Sequence, residues 1–157
     1  MLFIENNNRK KKYIMNKLKV YIMHSDKIDY INEIYRPLLN LKLMVKYYLI
    51  LPLSDKYKSS YIKDLYIDSD VIICDLTKSN IFLNIEIKTA KKLKKPIYYF
   101  INVKDKNVKK YKDVILYEDK IDFANKVKVL LNNLNQKELL LKRENIYCLG
   151  KINNVNS

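Results

Sequence analysis

Three residues of this chain have the types and neighbours that bond-making chemistry needs: Glu86, Asp75 and His24. Glu86 stands between Ile85 and Ile87, early in a predicted helix whose positive end favours an ionised carboxylate. Such a carboxylate in a cleft can act as nucleophile or charge stabiliser at a sugar carbon, with a second acid group managing the leaving group's proton. Its bland alternative is a helix-start Glu that only complements the dipole. Asp75 directly follows the apolar run Val71-Ile72-Ile73-Cys74 and can hold a ribose hydroxyl or a base, or else cap the next helix. Asp64 and Asp70 precede that run, and Asp70 reads as a cap or turn former. His24, the one histidine, can contact a phosphate or sugar if it faces a cleft; otherwise it is a surface loop residue.

Other chemistries lack their residues. Gly150 is the sole glycine, which argues against a Gly-rich phosphate loop and a conventional dinucleotide fingerprint. No Ser/His/Asp grouping carries nucleophile-elbow glycines, and Cys74 and Cys148 show neither metal-ligand nor disulfide spacing. Neither a metal nor a cofactor is expected. Carboxylate chemistry is what remains.

The elements that must position these residues can be read from the apolar pattern. Val20–Met23, Tyr47–Leu51, Val71–Cys74, Pro96–Ile101 and Val114–Tyr117 read as five strands. Between them fall helical patterns over residues 28–38, Tyr57–Ile67, Phe82–Lys94 and Asp122–Leu134, with Pro37 near the end of the first. Continuously apolar strands alternating with helices predict an α/β fold: a doubly wound, flavodoxin-like five-stranded parallel sheet with helices on both faces. Ligands of such sheets bind outside the carboxyl ends of the strands, where the winding reverses. The residues expected there are His24, Ser25 and Asp26; Pro52, Leu53 and Ser54; Asp75, Thr77, Lys78, Ser79 and Asn80; and Glu86.

The chain has 157 residues and a formal charge of +14, enough for one domain. We expect a flexible basic leader over 1–16, the α/β domain over 17–135 and a tail over 136–157. No stretch approaches the ~20 apolar residues of a membrane span, and the N-terminus lacks a signal-peptide pattern, so a cytoplasmic protein without a membrane partner is expected. The positive charge is nearly all Lys and spread along the chain, with Arg9, Arg36 and Arg143 the only arginines. That suits a generally basic surface, and an AT-rich coding bias, better than a base-reading face; a nucleic-acid partner is not expected.

The run Ser69-Asp70-Val71-Ile72-Ile73-Cys74-Asp75-Leu76-Thr77, then Asn84-Ile85-Glu86-Ile87 with Ala90, then Lys94-Lys95-Pro96-Ile97, resembles the nucleoside 2-deoxyribosyltransferase family and its deoxynucleoside 5'-monophosphate N-hydrolase branch. That family carries an (A/S)D, apolar run, (E/D)xT, Glu and GKP(I/V) pattern, and the interval Asp70 to Glu86 fits it without a gap. The resemblance spans roughly residues 19–101. It implies that Glu86 attacks a sugar C1' to form a covalent glycosyl-enzyme, that Tyr21 lies near it, and that an Asp before the third strand, here Asp64, handles the base. Ser25, Thr77, Ser79 and Asn80, by their place at the strand ends, are expected as further binding positions, and the resemblance implies a nucleoside or nucleotide substrate and a homo-oligomer. Phe82, Asn84 and Lys88 stand where glycines normally surround the Glu. Val20 to Tyr30 also resembles the opening of TIR domains, which would cleave NAD through a Glu. The third alternative is a nucleotide-binding or interaction module without turnover.

Overall fold

The computed structural model describes residues 17–50 and 61–134. The leader, Pro52, Leu53, Ser54, the start of the second helical pattern, the tail, Cys148 and Gly150 lie outside the described residues.

The apolar runs form five strands: β1 (Leu18–Met23), β2 (Val45–Leu49), β3 (Val71–Asp75), β4 (Ile97–Asn102) and β5 (Ile115–Tyr117). They make one all-parallel sheet in the order β2-β1-β3-β4-β5, the doubly wound arrangement expected. The chain steps outward from β1 to β2, returns across β1 to β3, and then continues the other way. The winding therefore reverses between β1 and β3.

Because side chains alternate along a strand, each strand feeds two cores. On one face Leu18, Val20, Ile22, Val71, Ile73 and Phe100 pack with Ile34, Leu38, Phe123, Val127 and Leu131. These last come from a π-helical segment (Ile31–Tyr35), from α1 (Arg36–Asn40) and from α4 (Lys120–Asn133). On the other face Tyr21, Met23, Tyr48, Ile72, Cys74 and Ile101 pack with Ile62, Tyr66, Leu83 and Ala90, from α2 (Tyr61–Asp68) and α3 (Ile81–Lys92). Full burial of an aliphatic or aromatic side chain contributes about 1.5–3 kcal/mol, so the two cores together hold the sheet. Among the described residues no helix is long and apolar enough to cross a membrane.

The first helical segment differs from its sequence reading. It starts at Ile31 with a wide π-type turn in which the Arg36 N–H donates to Ile31 O, and the α-helix then carries Pro37 in its first turn. Proline lacks an N–H and crowds the carbonyl four residues back, so the widened turn sits where a regular helix would clash.

With so few glycines, left-handed backbone falls to other residues: Lys42, Lys78, Lys94 and Asp113 all have positive φ. Lys94 ends α3. Its N–H donates to Lys91 O (3.0 Å) and the Lys95 N–H to Ala90 O (3.4 Å), the paired bonds of a Schellman close. Lys95 then carries its ammonium to Ile67 O (2.7 Å) and Ser69 O (2.8 Å), which satisfies carbonyls at the end of α2. The Lys-Lys-Pro run thus closes one helix and caps its neighbour. A left-handed L-residue costs about 1 kcal/mol more than glycine at such a position. Lys94→Gly is expected to stabilise the fold by about 1 kcal/mol and raise Tm by about 3 °C in thermal unfolding; a lower Tm would contradict this account of the turn.

Candidate functional site

Glu86 owes its place to the register of α3. Asn80 caps that helix, its Oδ1 accepting from the Leu83 N–H (3.0 Å), while its Nδ2 donates to Asp26 Oδ1 (2.6 Å) on the loop after β1. With the start fixed, Leu83, Glu86, Ile87 and Ala90 fall on one face at spacings of three and four. Leu83 and Ala90 are buried against the sheet, and Glu86 between them is half-buried. A carboxylate therefore occupies the core-facing stripe of a helix.

Its neighbours are phenols. Tyr66 of α2 is 1% exposed, and Tyr21 of β1 meets it edge-on at 4.7 Å between ring centroids. Burial first, then Tyr21 and Glu86, push the Tyr66 hydroxyl far above the ordinary tyrosine range. That hydroxyl has no partner in full hydrogen-bond geometry, although both Tyr21 and Glu86 flank it. On the opposite face Tyr35 is also pushed up, by burial, then Tyr30, then Glu86. Glu86 is thus within electrostatic reach of hydroxyls on both faces of the sheet.

His24 follows β1 at that same edge. It is buried, stacked on Tyr30 (4.6 Å) and edge-on to Tyr35 (5.2 Å). Its Nδ1 faces Ser25 O (2.9 Å) and its Nε2 faces the Tyr35 hydroxyl (2.5 Å), which donates to Ile50 O (2.7 Å). Histidine, two tyrosines and the end of β2 are thereby joined. Ser25 is buried as well, its Oγ accepting from the Lys27 N–H (3.1 Å).

Asp75 belongs to a different network. It is 1% exposed and points to the face of α1 and α4, opposite α3. Oδ1 accepts from the Thr77 N–H (3.0 Å) and Oδ2 from the Tyr117 hydroxyl (2.7 Å). Thr77 Oγ1 lies 3.0 Å from the same phenol and accepts from the Asn102 N–H (2.9 Å). These contacts knit the carboxyl ends of β3, β4 and β5 together. Ser79 caps no chain end; its N–H returns to Leu76 O and its Oγ lies 3.4 Å from Asn84 Oδ1. Asp64 is exposed on α2, turned roughly 200° from Tyr66. Asp70 accepts from the Lys19 N–H (2.7 Å) at the far end of the sheet.

The structure thus gathers Tyr21, Glu86, His24, Ser25 and Asn80 around the end of β1 and does not bring Asp64 or the Asp75 carboxylate beside Glu86. It adds Tyr66 and Tyr35, which fall inside the helical patterns over Tyr57–Ile67 and 28–38. Their signal was the hydroxyl: a tyrosine on a core face near a strand's carboxyl end needs a polar partner there. Phe82, Asn84 and Lys88, in place of glycines, are all exposed rather than turned into the core. A groove of about 400 Å³ between α1 and α4, lined by Arg36, Pro37, Leu41, Lys120 and Ile121, lies on the other side of the sheet. Among the described residues no three His, Cys, Asp or Glu side chains are grouped to hold a metal. No family model matches the chain, and no curated protein matches it.

Burial, the dominant cause, raises the Asp75 pKa above its ordinary 3.8 despite the hydrogen bonds from Thr77 and Tyr117. Above pH 3.8 the folded state then binds more protons than the unfolded one, so this group's contribution falls as pH rises through that interval. Asp75→Asn keeps an acceptor for Thr77 and removes the ionisation. Denaturant unfolding from pH 3.5 to 8 is expected to show the variant gaining stability relative to wild type as pH rises. A constant difference across the range would contradict it.

Proposed function

We propose that the protein cleaves or transfers the N-glycosidic bond of a nucleoside or nucleotide, with Glu86 as nucleophile. The observation that carries this reading is the half-buried Glu86 carboxylate on the core-facing stripe of α3, set among tyrosine hydroxyls where the winding of the sheet reverses. The resemblance of residues 19–101 to the deoxyribosyltransferase family supports it, as does Tyr21 beside the same phenol as Glu86.

In this mechanism the Glu86 carboxylate attacks C1' and the C1'–N bond breaks. The base leaves with the bonding pair and is protonated. Water, or the nitrogen of a second base, then attacks C1', loses a proton and frees Glu86 as the carboxylate. Burial keeps the Tyr66 hydroxyl protonated near the reacting carboxylate. A TIR-like enzyme would break the nicotinamide bond of NAD through the same residue. A binding module without turnover is the second reading, favoured by Phe82, Asn84 and Lys88 standing where glycines surround the Glu in the family the chain resembles.

Incubation with deoxynucleosides, deoxynucleoside monophosphates and NAD, followed by chromatography, separates the three. Wild type is expected to release free base, and Glu86→Gln to lose on the order of a thousandfold or more in rate with Tm unchanged, because the amide is isosteric but a poor nucleophile. Nicotinamide release alone would select the TIR reading. Full activity in the variant would refute the role of Glu86, and silence on the whole panel would leave the binding module.

A further inference from the structure

Away from Glu86, on the other side of the sheet, α1 and α4 leave between them a groove of about 400 Å³. That volume falls within the range of about 300–1,000 Å³ in which proteins hold small ligands. Its walls combine two chemistries. Pro37, Leu41 and Ile121 give an apolar lining, and Ile121 is 65% exposed although the buried stripe of its own helix holds Phe123, Ala124, Val127 and Leu131. Arg36 and Lys120 bring two cations to the same groove, and no acidic residue lines it.

The guanidinium is oriented without being neutralised by a carboxylate. Arg36 Nη1 donates to Asn32 Oδ1 (2.7 Å), and Asn32 Nδ2 donates in turn to Asp29 Oδ2 (2.9 Å), so a neutral carboxamide holds the arginine in place. A guanidinium carries five N–H donors, and this contact uses one. Arg36 is also the one arginine among the described residues, and its planar fork matches a carboxylate or phosphate where a lysine offers a point charge. Lys120 opens α4, at the helix end that disfavours a cation. The carboxylates beside it in sequence are turned to other donors. Asp119 accepts from the Asp122 N–H (2.8 Å), and Asp122 accepts from the Glu118 N–H (2.8 Å) and pairs with Lys126 (3.2 Å). Neither Arg36 nor Lys120 belongs to an ion pair among the described residues.

We propose that this groove is a binding site for a small organic anion, a carboxylate or phosphate carried on an apolar body. The acid group sits on the Arg36 fork and Lys120, and the body lies on Pro37, Leu41 and Ile121. Two cations in one groove with low-dielectric walls concentrate the field that an anion meets, and a body that expels water from those walls strengthens the contact. The groove lies on the face opposite α3, so the inference does not rest on the role of Glu86.

The test is a titration of the full-length, nitrogen-15-labelled protein with 1-naphthyl phosphate and with 1-naphthoate, which share the apolar body and differ in the acid group. Inorganic phosphate and 1-naphthol supply each half alone. At least one of the two anions is expected to give saturable amide shifts confined to residues 36–41 and 120–125, and to bind about tenfold or more tighter than either half. Arg36→Gln, at an exposed position, is expected to weaken that binding about tenfold with Tm unchanged, because a charge-assisted contact is lost. Should that variant fail to fold, Lys120→Gln carries the same test. Glu86→Gln is expected to bind like wild type, which separates failure here from failure of the glycosidic reading. The anion that binds more tightly identifies the acid group. No saturable shift in the groove, shifts scattered over lysines at large, a half that binds as tightly as the whole, or an affinity unmoved by the loss of either cation would overturn the inference.

Discussion

The rest of the structure depends on burying β3 on both faces. Every residue from Val71 to Asp75 is at most 1% exposed, so the strand that ends in a carboxylate has no solvent along its length. An ionisable group there must find its partners inside the protein. Asp75 finds them in the Thr77 N–H and the Tyr117 hydroxyl, and those bonds lock the carboxyl ends of β3, β4 and β5 into one rim. That rim fixes where the loop turns, and hence where Asn80 caps α3 and which face of the helix Glu86 occupies. Asp75 is an architectural carboxylate, whereas Glu86 lies half-buried on the core-facing stripe of α3.

The two carboxylates differ because their surroundings do. Asp75 is sealed, with both oxygens engaged, and its charge is disfavoured by burial. Glu86 is half-buried, within electrostatic reach of the Tyr66 phenol. His24 adds rigidity to the same edge through stacking on Tyr30 and the link to Tyr35 and Ile50.

Much of this was legible in the sequence because period and apolarity are local signals. The five apolar runs gave the strands to within a couple of residues, and their alternation with helices gave the doubly wound sheet. The His24 and Glu86 positions followed from the rule that sites gather at strand carboxyl ends. Orientation was not legible. Asp75 and Cys74 are neighbours in sequence, yet they point to opposite faces, and only the packing of α3 against one of them decides which is near Glu86. Asp64 sat a few residues from a suitable place, but the helical turn carried it to solvent. Tyr66 and Tyr35 were hidden because a tyrosine in an apolar stripe looks like any core residue until its hydroxyl is located. The π-type turn before Pro37 left no mark stronger than the proline itself.

As the proposed nucleophile, Glu86 would form a covalent bond to a sugar carbon, and trapping that bond is the most direct test. A 2'-deoxy-2'-fluoroarabinosyl nucleoside slows breakdown of a glycosyl-enzyme more than its formation. After incubation, peptide mass spectrometry is predicted to find one added fluoro-sugar on Glu86, absent in Glu86→Gln. A sugar on a different residue, or release of base from this probe by wild type with no adduct on Glu86, would contradict the account.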